Sequence, residues 1–211
     1  GLSVTMPHKV AVMEHLDWIE ESAREIGAVN TIVVEEDQLH GYNTDAAALI
    51  SPLREKGLSL REARCAIIGA GGAARSALWG LQQECARVTL FARDVEKARP
   101  VAEKFGAVCE PLDGASFNNF DLVINATPLG TRGARENETP ALSSQLRGAR
   151  LAYDLVYNPQ ETRFLREARA AGCGQLNGLQ MLVAQAAEQF RLWTGQPAPL
   201  DVMKKAVLRK L

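Results

Sequence analysis

The spacing of apolar residues changes twice along this chain. Between residues 65 and 171, short apolar runs typical of buried strands alternate with segments whose apolar residues recur at helical spacing. The predicted strands cover residues 65–68, 88–92, 107–109, 122–125 and 151–156, and helices are predicted from residue 73 and over 95–105 and 161–171. Because strands alternate with helices, the pattern predicts an α/β fold with a doubly wound parallel sheet.

The segments on either side follow other patterns. The first 60 residues predict helices over 10–26 and 45–53, strands over 29–34 and 39–42, and a helix cap near residues 43–44. Near the C-terminus, a long helix over 181–193 that ends before Gly195 precedes a second helix from residue 201. We therefore divide the chain into three predicted parts, residues 1–60, 61–178 and 179–211.

Composition and charge exclude several classes of protein. The formal net charge of −1 and the lack of a basic stretch argue against nucleic-acid binding. No apolar run approaches the roughly 20 residues that span a bilayer, so no membrane segment is predicted. The four cysteines are scattered singly without a partner at metal-ligand spacing. This predicts no metal site and favours reduced thiols in a cytoplasmic protein.

The turn after the first strand of the alternating region is rich in glycine. It reads Gly69-Ala70-Gly71-Gly72-Ala73 and leads directly into a predicted helix. Gly69 permits a tight turn, Gly71 lets a pyrophosphate approach the backbone, and the helix N-terminus offers free N–H groups. An ordinary glycine turn in an α/β domain is the alternative. The order strand, turn and helix favours a dinucleotide phosphate site.

The end of the next strand distinguishes the two nicotinamide dinucleotides. An acidic side chain there would hydrogen-bond the ribose 2′-OH of NAD, whereas an arginine accommodates the 2′-phosphate of NADP. Arg93 and Lys97 follow this strand, with Asp94 between them. The planar arginine fork suits a phosphate, so the sequence favours NADP, while Asp94 leaves NAD as the less favoured choice. A solvated Arg/Lys pair at a helix start is the alternative without a ligand.

Two candidate catalytic groups stand in the N-terminal part. Lys9 follows Pro7-His8, and Asp45 follows Asn43-Thr44. A lysine partly desolvated beside a carboxylate can pass a proton to or from an alcohol during hydride transfer. On spacing alone, a surface ion pair or two unrelated charges is the simpler interpretation.

Seven motifs taken together favour the catalytic interpretation over the simpler one. They are Ser-Val-Thr-Met-Pro-His-Lys (3–9), Gly-Ala-Val-Asn-Thr (27–31), Asn-Thr-Asp (43–45), Gly-Ala-Gly-Gly-Ala (69–73), Asn-Ala-Thr-Pro-Leu-Gly (125–130), Asp-Leu-Val-Tyr-Asn-Pro (154–159) and Gly-Leu-Gln-Met-Leu-Val-Ala-Gln-Ala (178–186). Several of these motifs are ordinary singly. In this order and spacing the chain resembles the shikimate dehydrogenases over nearly its whole length.

The resemblance implies a Rossmann-type, NADP-dependent oxidoreductase that interconverts 3-dehydroshikimate and shikimate in aromatic amino-acid biosynthesis. It implies that Lys9 and Asp45 form the catalytic pair, with Lys9 as the general acid/base. The positions that match substrate-binding residues are Thr5, Lys9, Asn30, Asp45, Tyr157 and Gln185. The positions that match cofactor-binding residues are Gly69, Ala70, Gly71, Gly72, Ala73, Arg93, Lys97, Thr127, Leu155 and Gly178.

The resemblance also assigns a role to each part of the chain. Residues 1–60 are expected to form a partial substrate-binding lobe, 61–178 the NADP-binding domain, and 179–211 helices that close the cleft and pack on the substrate lobe. The family begins with a further β-α-β unit that this sequence does not supply. The motif that begins with Ser3 is more like that of family members fused behind a type I dehydroquinase. We therefore expect a fragment, one half of such a fusion, or a degenerate member.

Two other functions stay open at this stage. One is an NAD-linked quinate/shikimate dehydrogenase, which is supported by Asp94. The other is a catalytically silent relative that binds shikimate or quinate, which is supported by the missing first β-α-β unit. The presence of both Lys9 and Asp45 argues against the silent relative.

Overall fold

The fold is built on two separate sheets. The computed structural model describes all residues from 1 to 211, with a four-stranded sheet near the N-terminus and a six-stranded sheet after it. The N-terminal elements are β1 (Leu2–Ser3), a 3₁₀ helix (Ala11–His15), β2 (Trp18–Ile19), α1 (Glu21–Ile26), β3 (Thr31–Glu35), β4 (Gln38–Tyr42) and α2 (Asp45–Glu55). The small sheet has the order β1-β3-β4-β2, and only its β2–β4 pair is parallel.

The larger sheet is parallel throughout. The remaining elements are β5 (Arg64–Ile68), α3 (Gly72–Gln83), β6 (Arg87–Ala92), α4 (Val95–Lys104), β7 (Val108–Pro111), β8 (Leu122–Asn125), α5 (Ser143–Leu146), β9 (Leu151–Asp154), α6 (Arg163–Ala170), β10 (Gly174–Leu176), α7 (Leu179–Thr194) and α8 (Leu200–Leu208). The strand order is β10-β9-β8-β5-β6-β7, and each neighbouring pair runs parallel. The predicted α/β fold with a doubly wound parallel sheet is confirmed.

The core lies on both faces of this sheet, as the apolar run at its centre predicts. Cys65 and Ile67 of β5 belong to a cluster that includes residues of α2, α3, α4 and α7. Ala66 and Ile68 point to the other face, where they join residues of α5 and α6. Successive side chains of a strand alternate between faces, so a strand covered by helices on both sides must be apolar at every position.

The predicted helix over residues 10–26 is wrong. The segment divides into the 3₁₀ helix, β2 and α1 because Asp17 and its neighbours pair with β4. The Asp17 backbone N–H donates to the Leu39 carbonyl at 3.0 Å, and the Leu39 N–H donates to the Asp17 carboxylate at 2.7 Å. Apolar side chains from all three short elements still cover Val29 and Ile32. The helical spacing therefore identified a buried face, but not the backbone that presents it.

Smaller differences concern the ends of elements and three further elements that were not predicted. These are the strands β1 and β10 and the helix α5. Helix α6 begins at Arg163 because the Thr162 side chain accepts a hydrogen bond from the Leu165 N–H and caps the helix. The predicted strand over 151–156 ends two residues early, at Asp154. None of the helices combines the length and the apolar character that crossing a membrane requires.

Candidate active site

Lys9 and Asp45 form a close, largely buried ion pair. The Lys9 Nζ lies 2.6 Å from Asp45 Oδ2, and the two side chains are 17% and 4% exposed. Asp45 is the first residue of α2, where the partial positive charge of a helix N-terminus favours a carboxylate. The backbone of Lys9 is fixed as well, because the Val29 N–H donates to its carbonyl at 2.8 Å. A charge-assisted hydrogen bond of this kind holds the ammonium group in one place.

Asn30 orients the carboxylate of this pair. Its Nδ2 donates to Asp45 Oδ1 and to Thr44 Oγ1, both at 2.9 Å. Its Oδ1 accepts from the Thr44 N–H at 2.9 Å and from the Thr31 hydroxyl at 2.7 Å. Every polar atom of the buried Asn30 amide is thus engaged with the protein. Asn30, which was predicted to bind the substrate, therefore holds the carboxylate of Asp45 in this structure.

Asn43 caps α2 and connects it to the helix that follows the glycine turn. Its Oδ1 accepts from the N–H groups of Asp45 at 3.0 Å and Ala46 at 3.2 Å. Its Nδ2 donates to the Ala28 carbonyl at 2.8 Å and to the Ser76 hydroxyl at 3.1 Å. The predicted cap near residues 43–44 is therefore the Asn43 side chain, and it links the start of α2 to α3.

The glycine turn lies where the strand order of the large sheet reverses. β5 has β6 on one side and β8 on the other, so the carboxyl ends of β5 and β8 form the topological switch point. Gly69 has a φ of +108°, and a Cβ there would lie 2.9 Å from Thr127 Cγ2. Only glycine suits both this backbone conformation and this approach. Ala70 and Ala73 are half-buried at the same turn.

Gly71 leaves open space at the start of α3. A Cβ at this position would meet no atom within 4 Å, and the residue is exposed at the N-cap of the helix. The turn therefore offers unobstructed N–H groups to a ligand, which is what a pyrophosphate requires. The site fits the phosphates of a dinucleotide.

After β6 the chain presents one arginine without a protein partner and one ion pair between a carboxylate and a lysine. Arg93 is exposed, whereas the Asp94 carboxylate accepts from the Lys97 N–H at 3.2 Å and lies 3.1 Å from Lys97 Nζ. The backbone hydrogen bond from Lys97, together with its ammonium group, lowers the pKa of Asp94 below its usual range. Asp94 therefore serves as the N-cap of α4. Its engagement in the cap weakens the argument for NAD.

A polar network at the ends of β8 and β9 was missed by the sequence analysis. Asn125 Oδ1 accepts from the hydroxyl of Thr127 at 2.6 Å and from its N–H at 3.0 Å, while Asn125 Nδ2 donates to Asp154 Oδ1 at 2.9 Å. Asp154 also accepts from the Val156 N–H and the Thr162 hydroxyl. Burial raises the pKa of Asp154 to about 7. Polar residues ending two consecutive apolar strands are the signal that could have revealed it.

Leu155 and Gly178 meet where the chain returns toward α7. A Cβ on Gly178 would lie 2.4 Å from the Leu155 carbonyl oxygen, and the Gly178 N–H donates to the Val156 carbonyl at 3.2 Å. The contact leaves no room for a side chain. The structure therefore brings these two predicted cofactor-binding residues together.

The other predicted substrate-binding residues have no hydrogen bond to the ion pair. Thr5 is exposed, and Tyr157 is 42% exposed. The Gln185 amide donates to the Leu182 carbonyl of its own helix at 2.9 Å, while its backbone carbonyl accepts from Thr44 Oγ1 at 3.2 Å. None of these three side chains hydrogen-bonds to Lys9 or Asp45.

Gln189 was not predicted as a site residue. This buried side chain donates to the carbonyl of Asn30 at 3.1 Å, to the Thr31 hydroxyl at 3.0 Å and to the Ser3 hydroxyl at 3.2 Å. It thereby ties α7 to β1 and to the start of β3. The sequence signal for Gln189 is weak, because only its polar character and its position one helical turn after Gln185 distinguish it.

The fold and the site define a dinucleotide-binding α/β protein with a lysine–aspartate pair beside its glycine turn. Family models match three segments, described as the shikimate dehydrogenase substrate binding domain over residues 1–32, shikimate/quinate 5-dehydrogenase over 52–158 and the shikimate 5′-dehydrogenase C-terminal domain over 178–208. The chain belongs to the shikimate dehydrogenase family.

Individual relatives agree with this family. A shikimate dehydrogenase (NADP(+)) of Oleidesulfovibrio alaskensis is 46% identical over 94% of this chain and 72% of its own length. The structure of shikimate 5-dehydrogenase from Thermus thermophilus with NADP(H) and shikimate has a TM-score of 0.89 at 38% identity, over 99% of this chain and 78% of that one.

A second solved structure bears on gene fusion in the family. A chorismate mutase/shikimate 5-dehydrogenase fusion protein from Clostridium acetobutylicum has a TM-score of 0.90 at 34% identity, over 99% of this chain and 77% of that one. The partner fused in that protein differs from the dehydroquinase expected from Ser3.

Proposed function

We propose that this protein is an NADP-dependent shikimate dehydrogenase that reversibly reduces 3-dehydroshikimate to shikimate. The observation that carries the proposal is the Lys9–Asp45 pair, held at 2.6 Å beside the start of α3. The relative described above is a shikimate dehydrogenase (NADP(+)), and the ligand-bound structure holds NADP(H) and shikimate. A lysine with a carboxylate partner next to a dinucleotide turn can combine proton transfer with hydride transfer.

Lys9 handles the proton at the reacting oxygen. In the direction of reduction, Lys9 Nζ donates a proton to the C3 oxygen of 3-dehydroshikimate, and the Asp45 carboxylate holds the ammonium group in line. In the reverse direction the amine accepts that proton from the hydroxyl. When bound, the nicotinamide of NADP(H) supplies or accepts the hydride at C3. Enclosure of the ion pair keeps water from competing for the proton.

The remaining substrate contacts are assigned to three further residues. We assign Thr5, Tyr157 and Gln185 to the hydroxyl and carboxylate groups of the substrate. The exposed hydroxyls of Thr5 and Tyr157 are available for this role. Asn30 acts through Asp45, because its amide is fully engaged by protein groups.

The cofactor residues divide into three groups. The backbone N–H groups of the glycine turn at residues 69–73 take the pyrophosphate, and Arg93 with Lys97 takes the 2′-phosphate. We assign Thr127, Leu155 and Gly178 to the lining of the adenine-ribose or nicotinamide pocket. The capping role of Asp94 and the exposed Arg93 guanidinium support NADP over NAD.

Three functional units follow from these assignments. We propose that residues 1–60 form a substrate lobe, that 61–178 bind NADP, and that 179–211 close the cleft. The hydrogen bonds from Gln189 to Ser3, Asn30 and Thr31 support the packing of the last unit on the first. The four free cysteines fit a cytoplasmic protein with reduced thiols.

The proposal is tested by following nicotinamide absorbance during oxidation of shikimate with NADP and, separately, with NAD. We expect turnover that prefers NADP, a loss of at least about 100-fold in kcat for Lys9→Ala, and wild-type rates for Lys205→Ala, whose lysine is exposed on α8. Binding of NADPH and shikimate without turnover would instead identify a silent binding protein. Equal rates with both nucleotides would contradict the assignment of Arg93.

A further inference from the structure

Gly71 and Gly72 are adjacent, but different groups face them. A Cβ at Gly71 would meet nothing within 4 Å. A Cβ at Gly72 would lie 3.1 Å from Cβ, 3.2 Å from Cδ and 3.6 Å from Cγ of Lys9. The two glycines therefore leave space on two different sides of the same turn.

The stem of Lys9 is confined between two fixed ends where it crosses Gly72. Its backbone carbonyl accepts from the Val29 N–H at 2.8 Å, and its Nζ lies 2.6 Å from Asp45 Oδ2. Asp45 is itself held by Asn30. A lysine side chain normally samples many rotamers, and this arrangement restricts it to the path over Gly72.

We infer that Gly72 is a positioning residue for Lys9, and that the side chain it lacks makes room for the lysine stem, whereas Gly71 makes room for the cofactor. This inference rests on the proposed role of Lys9 in proton transfer. A Cβ at position 72 would force the stem to move by a few tenths of an ångström. Because a displacement of about 1 Å can cost about 100-fold in rate, we expect such a shift to cost about tenfold.

The test compares Gly72→Ala with Gly71→Ala in the full chain. Steady-state kinetics give kcat and KM for shikimate, and quenching of protein fluorescence gives the dissociation constant of NADPH. We expect Gly72→Ala to lower kcat by about tenfold with the NADPH dissociation constant within about twofold of wild type. Gly71→Ala should show the opposite pattern and raise that dissociation constant by at least about tenfold, because its Cβ enters the space left for the phosphates.

Two kinetic results would overturn the inference. One is an unchanged kcat in Gly72→Ala. The other is a Gly72→Ala variant that loses NADPH affinity as Gly71→Ala does, since Gly72 would then serve the phosphates. A wild-type protein without turnover would refute the proposed function. Crystal structures would then decide whether Gly72 positions Lys9. In crystal structures of wild type and Gly72→Ala, a longer Lys9 Nζ to Asp45 Oδ2 distance in the variant supports the inference, and an equal distance overturns it.

Discussion

Asn30 donates a 2.9 Å hydrogen bond to the oxygen of Asp45 that Lys9 does not contact. The two oxygens of one carboxylate thus have separate partners, an amide that sets its orientation and an ammonium group that it holds. The amide comes from the residue directly before β3 and the carboxylate from the first turn of α2. The position of the Lys9 ammonium group therefore depends on how residue 30 meets the start of α2.

Replacing Asn30 by alanine tests this dependence. Asn30→Ala leaves Asp45 Oδ1 and the Thr44 N–H without their buried partner, which should cost about 1–3 kcal/mol in the free energy of unfolding. We expect kcat to fall by about 10- to 100-fold, since the carboxylate can rotate away from Lys9. Urea unfolding and steady-state kinetics measure both effects. Asn137→Ala, at an exposed asparagine, is the control. Full activity in Asn30→Ala would show that Lys9 alone keeps Asp45 in place.

Arg93 should determine the preference for NADP. Arg93→Ala removes the exposed guanidinium, so we expect KM for NADP to rise by about tenfold or more while KM for NAD changes little. Arg99→Ala is the matched control, because Arg99 is exposed on α4 and pairs with Glu96. If both nucleotides lost affinity equally, Arg93 would contact a part that they share.

Asp94→Asn separates the capping role of Asp94 from its charge. Asparagine is as good a helix N-cap as aspartate, so α4 should remain intact. Removal of the negative charge beside Lys97 should lower KM for NADP by about two- to fivefold at low salt and by less at high salt. Kinetics at two ionic strengths provide the measurement. A raised KM for NADP would mean that the carboxylate itself helps to hold the nucleotide.

Asp154 should make the stability of the protein depend on pH. Burial raises its pKa to about 7 in the folded protein, whereas an unfolded chain has a value of about 3.9. The folded state therefore binds the proton more tightly. The contribution of Asp154 to stability is complete below about pH 4, declines as the pH rises to about 7, and is constant above that.

Thermal unfolding of wild type and Asp154→Asn between pH 5 and 8 measures this contribution. The wild-type Tm should fall relative to that of Asp154→Asn as the pH rises toward 7, because asparagine does not titrate. Asp113→Asn, at an exposed aspartate, should follow the wild-type profile. A Tm difference between wild type and Asp154→Asn that is the same at every pH would contradict the raised pKa.

Gly178 should tolerate no side chain. In Gly178→Ala the new Cβ would lie 2.4 Å from the Leu155 carbonyl oxygen, so the backbone must shift. Overpacking of this kind costs about 1–3 kcal/mol, which differential scanning calorimetry would detect as a lower Tm. We also expect weaker NADPH binding, since Leu155 moves with the backbone. An unchanged Tm would show that the loop after β9 yields easily.

The N-terminal part shows where local sequence patterns fail. Residues 10–26 have the apolar spacing of one helix, and several of their apolar side chains do pack together around Val29 and Ile32, although Val10 and Trp18 are exposed. The backbone of Trp18 and Ile19 pairs with β4 instead, and the Trp18 ring lies against His40 and Tyr42. Long-range strand pairing outweighed a local preference that is worth only a fraction of a kcal/mol per residue.

The sequence by itself determined the parallel sheet and the dinucleotide turn. Alternating apolar runs specify buried strands, and glycines at 69, 71 and 72 specify a backbone that few other residues can adopt or approach. Both signals are local, so they can be recognised without knowing what lies nearby in space. The motifs around Lys9 and Asp45 pointed to the proposed catalytic pair only when taken together.

The tertiary structure alone decided how those residues act. Lys9 and Asp45 are 36 positions apart, and the 2.6 Å contact between them exists because two adjacent residues hold its two sides. The Val29 N–H donates to the Lys9 carbonyl, and Asn30 donates to Asp45 Oδ1. The tertiary structure also brings Asn30 to Asp45 and places Gly72 beside the side chain of Lys9. Contacts between distant segments depend on the positions of whole elements. A residue type and its neighbours in sequence therefore specify which chemistry is available, whereas the fold specifies which groups meet.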